Sequence, residues 1–145
     1  MDERWSRYPE TVLHFSDVMV DLRIKVEQPI KDGLKTLGLH NSFGVLTAYN
    51  PRGVDTPADE NARRMKEMQA ELASSDDFFI ELDACSPDKS HCECSVALVA
   101  DRARVIEIAK RWEQIAIFWF DGDRFWIYGA ITDSNPLMLP VRVNP

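Results

Sequence analysis

Apolar and polar residues first alternate near the N-terminus, where Val18, Val20, Leu22 and Ile24 are interleaved with Met19, Asp21 and Arg23. That two-residue period marks a half-buried strand. Residues 11–15 form a second apolar run before the polar break Ser16-Asp17, so a hairpin is expected; the β-branched residues favour strands over one long helix. Pro29 fits a first helical position, Ile30, Leu34 and Leu37 follow at helical spacing, and Gly38 serves as the cap. Residues 43–50 are apolar on both alternating faces, the pattern of a central strand covered on both sides. A helix is then expected to about residue 73, with Thr56 as N-cap, Pro57 at the first position and Asp59 closing a capping box. Its predicted buried stripe is Ala58, Ala62, Met65, Met68 and Leu72.

Strands are predicted over residues 78–82 and 92–99, followed by a helix capped by Asp101 with Val105, Ile108, Ala109 and Trp112 inward. Residues 115–120 and 125–131 read as a hairpin across a two-residue Asp121-Gly122 turn. A last strand over residues 137–143 would be confined to a sheet edge by Pro140. The order implies one α+β domain over residues 1–145. Its sheet would be mixed or mostly antiparallel, with two main helices and one short helix packed on it and a C-terminal β-hairpin.

Composition adds little to the fold but narrows the partners. Hydrophobic residues make up 45% and charged residues 28% of the 145, ordinary for a globular chain. Seventeen Lys plus Arg against 24 Asp plus Glu give a net charge of −7, which argues against extended nucleic acid and anionic membranes but not against a small basic pocket. The first nine residues lack the apolar run of a signal peptide, and no stretch reaches the roughly 18 apolar residues of a membrane span. Three cysteines, an odd number in a chain with a full-sized core, read as reduced thiols in a cytoplasmic protein.

Chemistry concentrates at the strand end and helix start, TAYNPRGVDTPADENARR, residues 47–64. Asn50 and Arg52 lie in the loop, and Asn61 and Arg64 lie in the first turns of the helix, whose N-terminus favours anions. Thr47-Ala48-Tyr49-Asn50-Pro51 followed by Asn61 resembles a bacterial family known only as a domain of unknown function (DUF3293-like), over about residues 43–120. The resemblance extends to Glu93 on a later strand and to Gln114 after the last helix, and it implies positions without implying a reaction.

Should these positions converge, Thr47, Asn50, Asn61, Glu93 and Gln114 supply amides, a hydroxyl and one carboxylate, with Arg52 and Arg64 adding charge. That set suits hydrogen-bonded recognition of a small polar or anionic ligand and lacks a paired nucleophile and base. The expected function is a non-catalytic ligand-binding module without cofactor or metal. The alternatives are a hydrolase using Glu93 as general base, a buried polar network that only orders the fold, and an interaction module.

Cys85, His91, Cys92 and Cys94 do not form the paired knuckles of a zinc site. His91 shares a strand face with Glu93 and Ser95, leaving a His91–Glu93 acid–base pair open. In the last hairpin, Phe118, Phe120, Phe125 and Ile127 fall on one face and Ile117, Trp119, Trp126 and Tyr128 on the other. A two-residue turn would set Phe118 opposite Phe125 and Ile117 opposite Trp126. One face packs on the helices; the other is expected either to be covered by the N-terminal segment or to form a homodimer contact through Trp119, Trp126 and Tyr128.

Overall fold

The computed structural model describes residues 3–141. Helix α1 (Glu3–Arg7) runs into a single 3-10 turn and the hairpin β1 (Val12–His14) and β2 (Met19–Asp21). Helix α2 (Gln28–Thr36), strand β3 (Phe43–Leu46) and helix α3 (Ala58–Ala73) follow. Then come β4 (Phe78–Cys85), β5 (Cys92–Val99), α4 (Arg102–Arg111), β6 (Ala116–Phe120), β7 (Phe125–Gly129) and β8 (Leu137–Met138). The eight strands form one sheet in the order β2-β1-β4-β5-β3-β6-β7-β8. Every pairing is antiparallel, so the sheet is not mixed, and α1 is a helix the sequence pattern does not predict. The α+β class holds.

Strand β3 occupies the interior position its two apolar faces require, between β5 and β6. The alternation along the central strands sends side chains into two separate cores. Phe43, Val45, Leu82, Ala97, Phe120, Phe125 and Ile127 pack on one face with Trp5, Leu34 and Leu139. Leu46, Val96, Leu98, Ile117 and Trp119 pack on the other with Met65, Met68, Leu72, Val105 and Ala109 of α3 and α4. Gly44 brings α4 close to the sheet, since a Cβ there would lie 2.5 Å from Val105 Cγ1. Among the described residues, no helix is long and apolar enough to cross a membrane.

Five local expectations need correction. Thr56 does not cap α3: its hydroxyl donates to Val54 O, while its own N–H and C=O are bound by the side chains of Asn50 and Asn61. The buried stripe of α3 is Asn61, Met65, Met68 and Leu72, with Ala58 and Ala62 exposed, because the Asn61 amide takes the inward position. The last hairpin pairs Phe120 with Phe125, Phe118 with Ile127 and Ile117 with Tyr128, so its loop is four residues rather than two. Asp121 Oδ1 accepts the N–H groups of Asp123 and Arg124 and holds the longer loop; the two-residue slip leaves the faces as expected. Strand β8 stops at Met138 on the sheet edge, and residues 142 and 143 of the expected strand lie outside the described residues.

The cysteines are the fifth correction. Cys85 and Cys92 are directly opposed at the end of the β4–β5 pair, with Cα atoms 4.1 Å apart, and are joined by a disulfide. Only Cys94 is free. The pairing comes from strand register, which a count of three cysteines does not reveal, and it removes the thiol-based ground for a reducing compartment.

Both faces of the aromatic hairpin are occupied within the chain. The N-terminal segment covers the first, where Tyr8 meets Phe118 edge-on at 6.0 Å between centroids. On the second, Trp119 is 6% exposed, and Arg102 of α4 stacks on Tyr128 at 4.4 Å.

Candidate functional site

Strand β3 ends at Leu46, and the chain then makes a compact polar knot before α3. Thr47 Oγ1 donates to Cys94 O at 2.7 Å and accepts the N–H of Tyr49 at 3.1 Å, tying the strand end to β5. Asn50 adopts a left-handed backbone (φ 47°), a conformation asparagine tolerates better than most residues. Its N–H donates to Asn61 Oδ1 at 2.8 Å, and its Oδ1 accepts from Asn61 Nδ2 at 2.9 Å and from Thr56 N at 3.0 Å. The remaining donor, Asn50 Nδ2, goes to Glu93 Oε1 at 3.2 Å. Asn50 therefore connects the start of α3 to a carboxylate on β5.

Gln114 follows α4, after Glu113 has turned the chain through a left-handed residue (φ 58°). Gln114 Nε2 donates to Tyr49 O at 3.0 Å and to Trp112 O at 3.1 Å. Both amide protons are thereby used, and Oε1 makes no hydrogen bond among the described residues. Trp112 Nε1 is the single fully buried side-chain N or O there without a partner, so Gln114 Oε1 keeps access to solvent. Gln114 also lines a cavity of about 440 Å³.

Four of the seven predicted positions, Thr47, Asn50, Glu93 and Gln114, line this open cavity. The other three support it from outside. Asn61, 5% exposed, lies behind Asn50 and holds its amide groups. Arg64 donates to Ala48 O at 2.8 Å and Trp112 O at 2.7 Å, with its guanidinium 5.4 Å from the Trp112 ring centre, and so joins α3 to the strand end and to α4. Arg52 stays on the surface, where its guanidinium meets Glu113 at 2.7 Å and its N–H donates to Glu113 O. Neither arginine lines the cavity.

A further part of the lining carries no signal in the sequence pattern. Arg7, Tyr8, Glu10 and Thr11 of the N-terminal segment form it, together with Phe118 of β6. Residues 84–87, 90 and 91, around the disulfide, form a third side. Within that hairpin loop Asp88 accepts from the Ser86 hydroxyl and from the N–H and hydroxyl of Ser90. The backbone N–H of Ser90, then the two hydroxyls, bring the Asp88 carboxyl down to about 2. Local sequence carries no signal for the N-terminal wall, because the pairing of β1 with β4 across some seventy residues brings it there.

His91 Nε2 is 3.9 Å from Glu93 Oε2, so the two side chains left open as an acid–base pair lie near one another. Ser95, 2% exposed, lines the cavity beside them, but its hydroxyl donates to Glu93 O. On the other sheet face, burial first and then the Glu81 hydrogen bond push the Cys94 thiol up to about 12, so it stays protonated. Burial, the leading cause, also raises the Tyr49 phenol, reinforced by nearby negative groups including Glu93. Among the described residues no group of three His, Cys, Asp or Glu side chains is placed to hold a metal ion.

Residues 46–117, which contain the polar knot, Glu93 and Gln114, match the model of a family described as protein of unknown function (DUF3293). No curated protein and no solved structure matches the chain.

Proposed function

Taking the chain as one that carries a DUF3293-like domain, we propose that it binds a small polar ligand in the cavity beside Asn50. One observation carries the reading: Asn50, Glu93 and Gln114, from three separate elements, meet on one open space of about 440 Å³, within the roughly 300–1,000 Å³ of small-ligand pockets. A network serving the fold alone would be sealed. Asn61 does not line the cavity, whereas Gln114 does and the Glu93 side chain there is 22% exposed. Asn50 orients the carboxylate, Gln114 offers an acceptor, and the wall of Tyr8 and Phe118 supplies apolar contact.

Binding fits this set better than hydrolysis. The Ser95 and Thr47 hydroxyls donate to the backbone carbonyls of Glu93 and Cys94, so each proton is already engaged away from a carboxylate. Amide NMR with a panel of small amines, carboxylates, phosphates and polyols tests the reading. The side-chain NH₂ signals of Asn50 and Gln114 should shift together with one class of compound and saturate. A panel that perturbs neither signal sinks the proposal. Turnover abolished in Glu93→Gln would replace binding by catalysis.

A further inference from the structure

We propose that the Cys85–Cys92 disulfide is a site of thiol–disulfide exchange with a low-molecular-weight thiol, opening and closing while the fold stays intact. The bond joins cysteines only seven positions apart, and a disulfide restrains the unfolded chain least across a short loop. Its hairpin is also complete without it. Strands β4 and β5 pair along their whole length, from Phe78 opposite Val99 to Cys85 opposite Cys92. Beyond the cysteines, Ser86 N donates to His91 O at 2.8 Å and His91 N donates to Ser86 Oγ at 3.1 Å. Asp88 gathers the Ser86 hydroxyl and the N–H and hydroxyl of Ser90. Hydrogen bonds thus close the loop on one side of the disulfide and the strand ladder holds the other, so the covalent bond adds little to the hairpin.

The two cysteines differ in exposure: Cys92 is exposed, whereas Cys85 is buried. An incoming thiolate therefore meets Cys92 first. Its sulfur bonds to Cys92 Sγ as the Cys85–Cys92 bond breaks, and the electron pair goes to Cys85 Sγ, which takes up a proton. Cys85, directly opposed with its Cα 4.1 Å away, is placed to reverse the step by attacking Cys92 Sγ and expelling the thiol. A second small thiol attacking the sulfur of the first completes the reduction and releases Cys92 as a thiol. The protein has then gained two electrons and two protons, and the two small thiols have become one disulfide. The third cysteine stays out of the exchange. Cys94 falls on the strand face of Cys92, but its thiol donates to Glu81 Oε1 at 2.9 Å and stays protonated, whereas the thiolate is the attacking form.

Reduced glutathione added to the full chain in native buffer, followed by alkylation and peptide mass spectrometry, tests this. Both Cys85 and Cys92 should become alkylated, and the reduced protein should keep a cooperative urea melt. Acid quenching should trap the glutathione adduct on Cys92 about tenfold more often than on Cys85, since exchange follows access to the sulfur. Oxidised glutathione should likewise modify Cys85→Ser about tenfold faster than Cys92→Ser. If either variant fails to fold, the adduct trapped on the wild-type chain decides. Cys94→Ser should exchange at an unchanged rate; loss of exchange in it would overturn the confinement to one pair. A disulfide that opens only in denaturing urea overturns the proposal. So does a reduced chain without a cooperative melt, which would make the bond a structural staple, or an adduct shared equally by the two cysteines. None of these outcomes bears on ligand binding beside Asn50, which the amide NMR decides.

Discussion

Asn61 takes a helix position that spacing alone would give to an apolar side chain, in line with Met65, Met68 and Leu72. Its amide is buried because three backbone or side-chain groups need it: Asn50 N–H, Asn50 Oδ1 and Thr56 O. Removing it in Asn61→Ala leaves those groups without their partner in a region water reaches poorly. The expected cost is about 2–3 kcal/mol, from a penalty of about 1–3 kcal/mol for each stranded buried group and partial relaxation. Urea denaturation measures it; a loss under about 0.5 kcal/mol, the level of an ordinary surface change, would mean the knot is not what holds the loop. The Thr-Ala-Tyr-Asn-Pro strand end and Asn61 meet in this knot. Residue type could not tell the asparagine that holds the other in place from the one that lines the cavity. Asn50 and Asn61 are chemically alike and almost equally buried; Asn50 is set apart by its hydrogen bond to Glu93 and its place on the cavity wall.

Among the elements, the β6–β7 hairpin shows how a turn signal can be present and its register still differ. Asp121-Gly122 does begin the turn, and Gly122 uses the positive φ of 103° that its lack of a side chain permits. Asp121 then accepts from Asp123 N, Arg124 N and Trp126 Nε1, which stretches the loop to four residues. Burial pushes the Asp121 carboxyl up, but the Arg124 N–H, then the Trp126 indole and the Asp123 N–H, outweigh it and leave the pKa below the ordinary 3.8. A carboxyl depressed on folding stabilises the fold above its unfolded value, and that contribution is lost as pH falls through the folded value. Asp121→Asn should therefore cost about 1–2 kcal/mol at neutral pH, the scale of hydrogen bonds to a charged acceptor. The gap between variant and wild type should close as the pH is taken below 3.8. Urea melts across that range check it, and a pH-independent gap would point to the neutral hydrogen bonds instead. The start of α3 differs from the sequence reading for a related reason. Thr56, Pro57 and Asp59 make a plausible cap by type, but side chains from Asn50 and Asn61 claim the Thr56 backbone first. Where one partner is local, as with Asp101 accepting from Arg104 N, the expected cap forms.

The whole molecule is an antiparallel sheet with a separate core on each face, so no aromatic face of the last hairpin is left entirely uncovered. Of the residues expected at a dimer contact, Trp119 is buried against the helical layer while Trp126 and Tyr128 are partly exposed. Light scattering should return the mass of one chain, 16.6 kDa, and twice that mass would restore the dimer. The strands, the two long helices and the central place of β3 were legible because each is written in a local period. The sheet order, the disulfide register and the N-terminal side of the cavity were not, since each depends on segments far apart in the chain. That last feature makes the cavity a composite. Asn50, Glu93 and Gln114 fall inside the stretch that matches the family, residues 46–117, whereas Arg7, Tyr8, Glu10 and Thr11 fall outside it. On the binding reading proposed above, a chimaera that swaps residues 3–11 should alter what the cavity accepts while the Asn50–Glu93 hydrogen bond stays as it is.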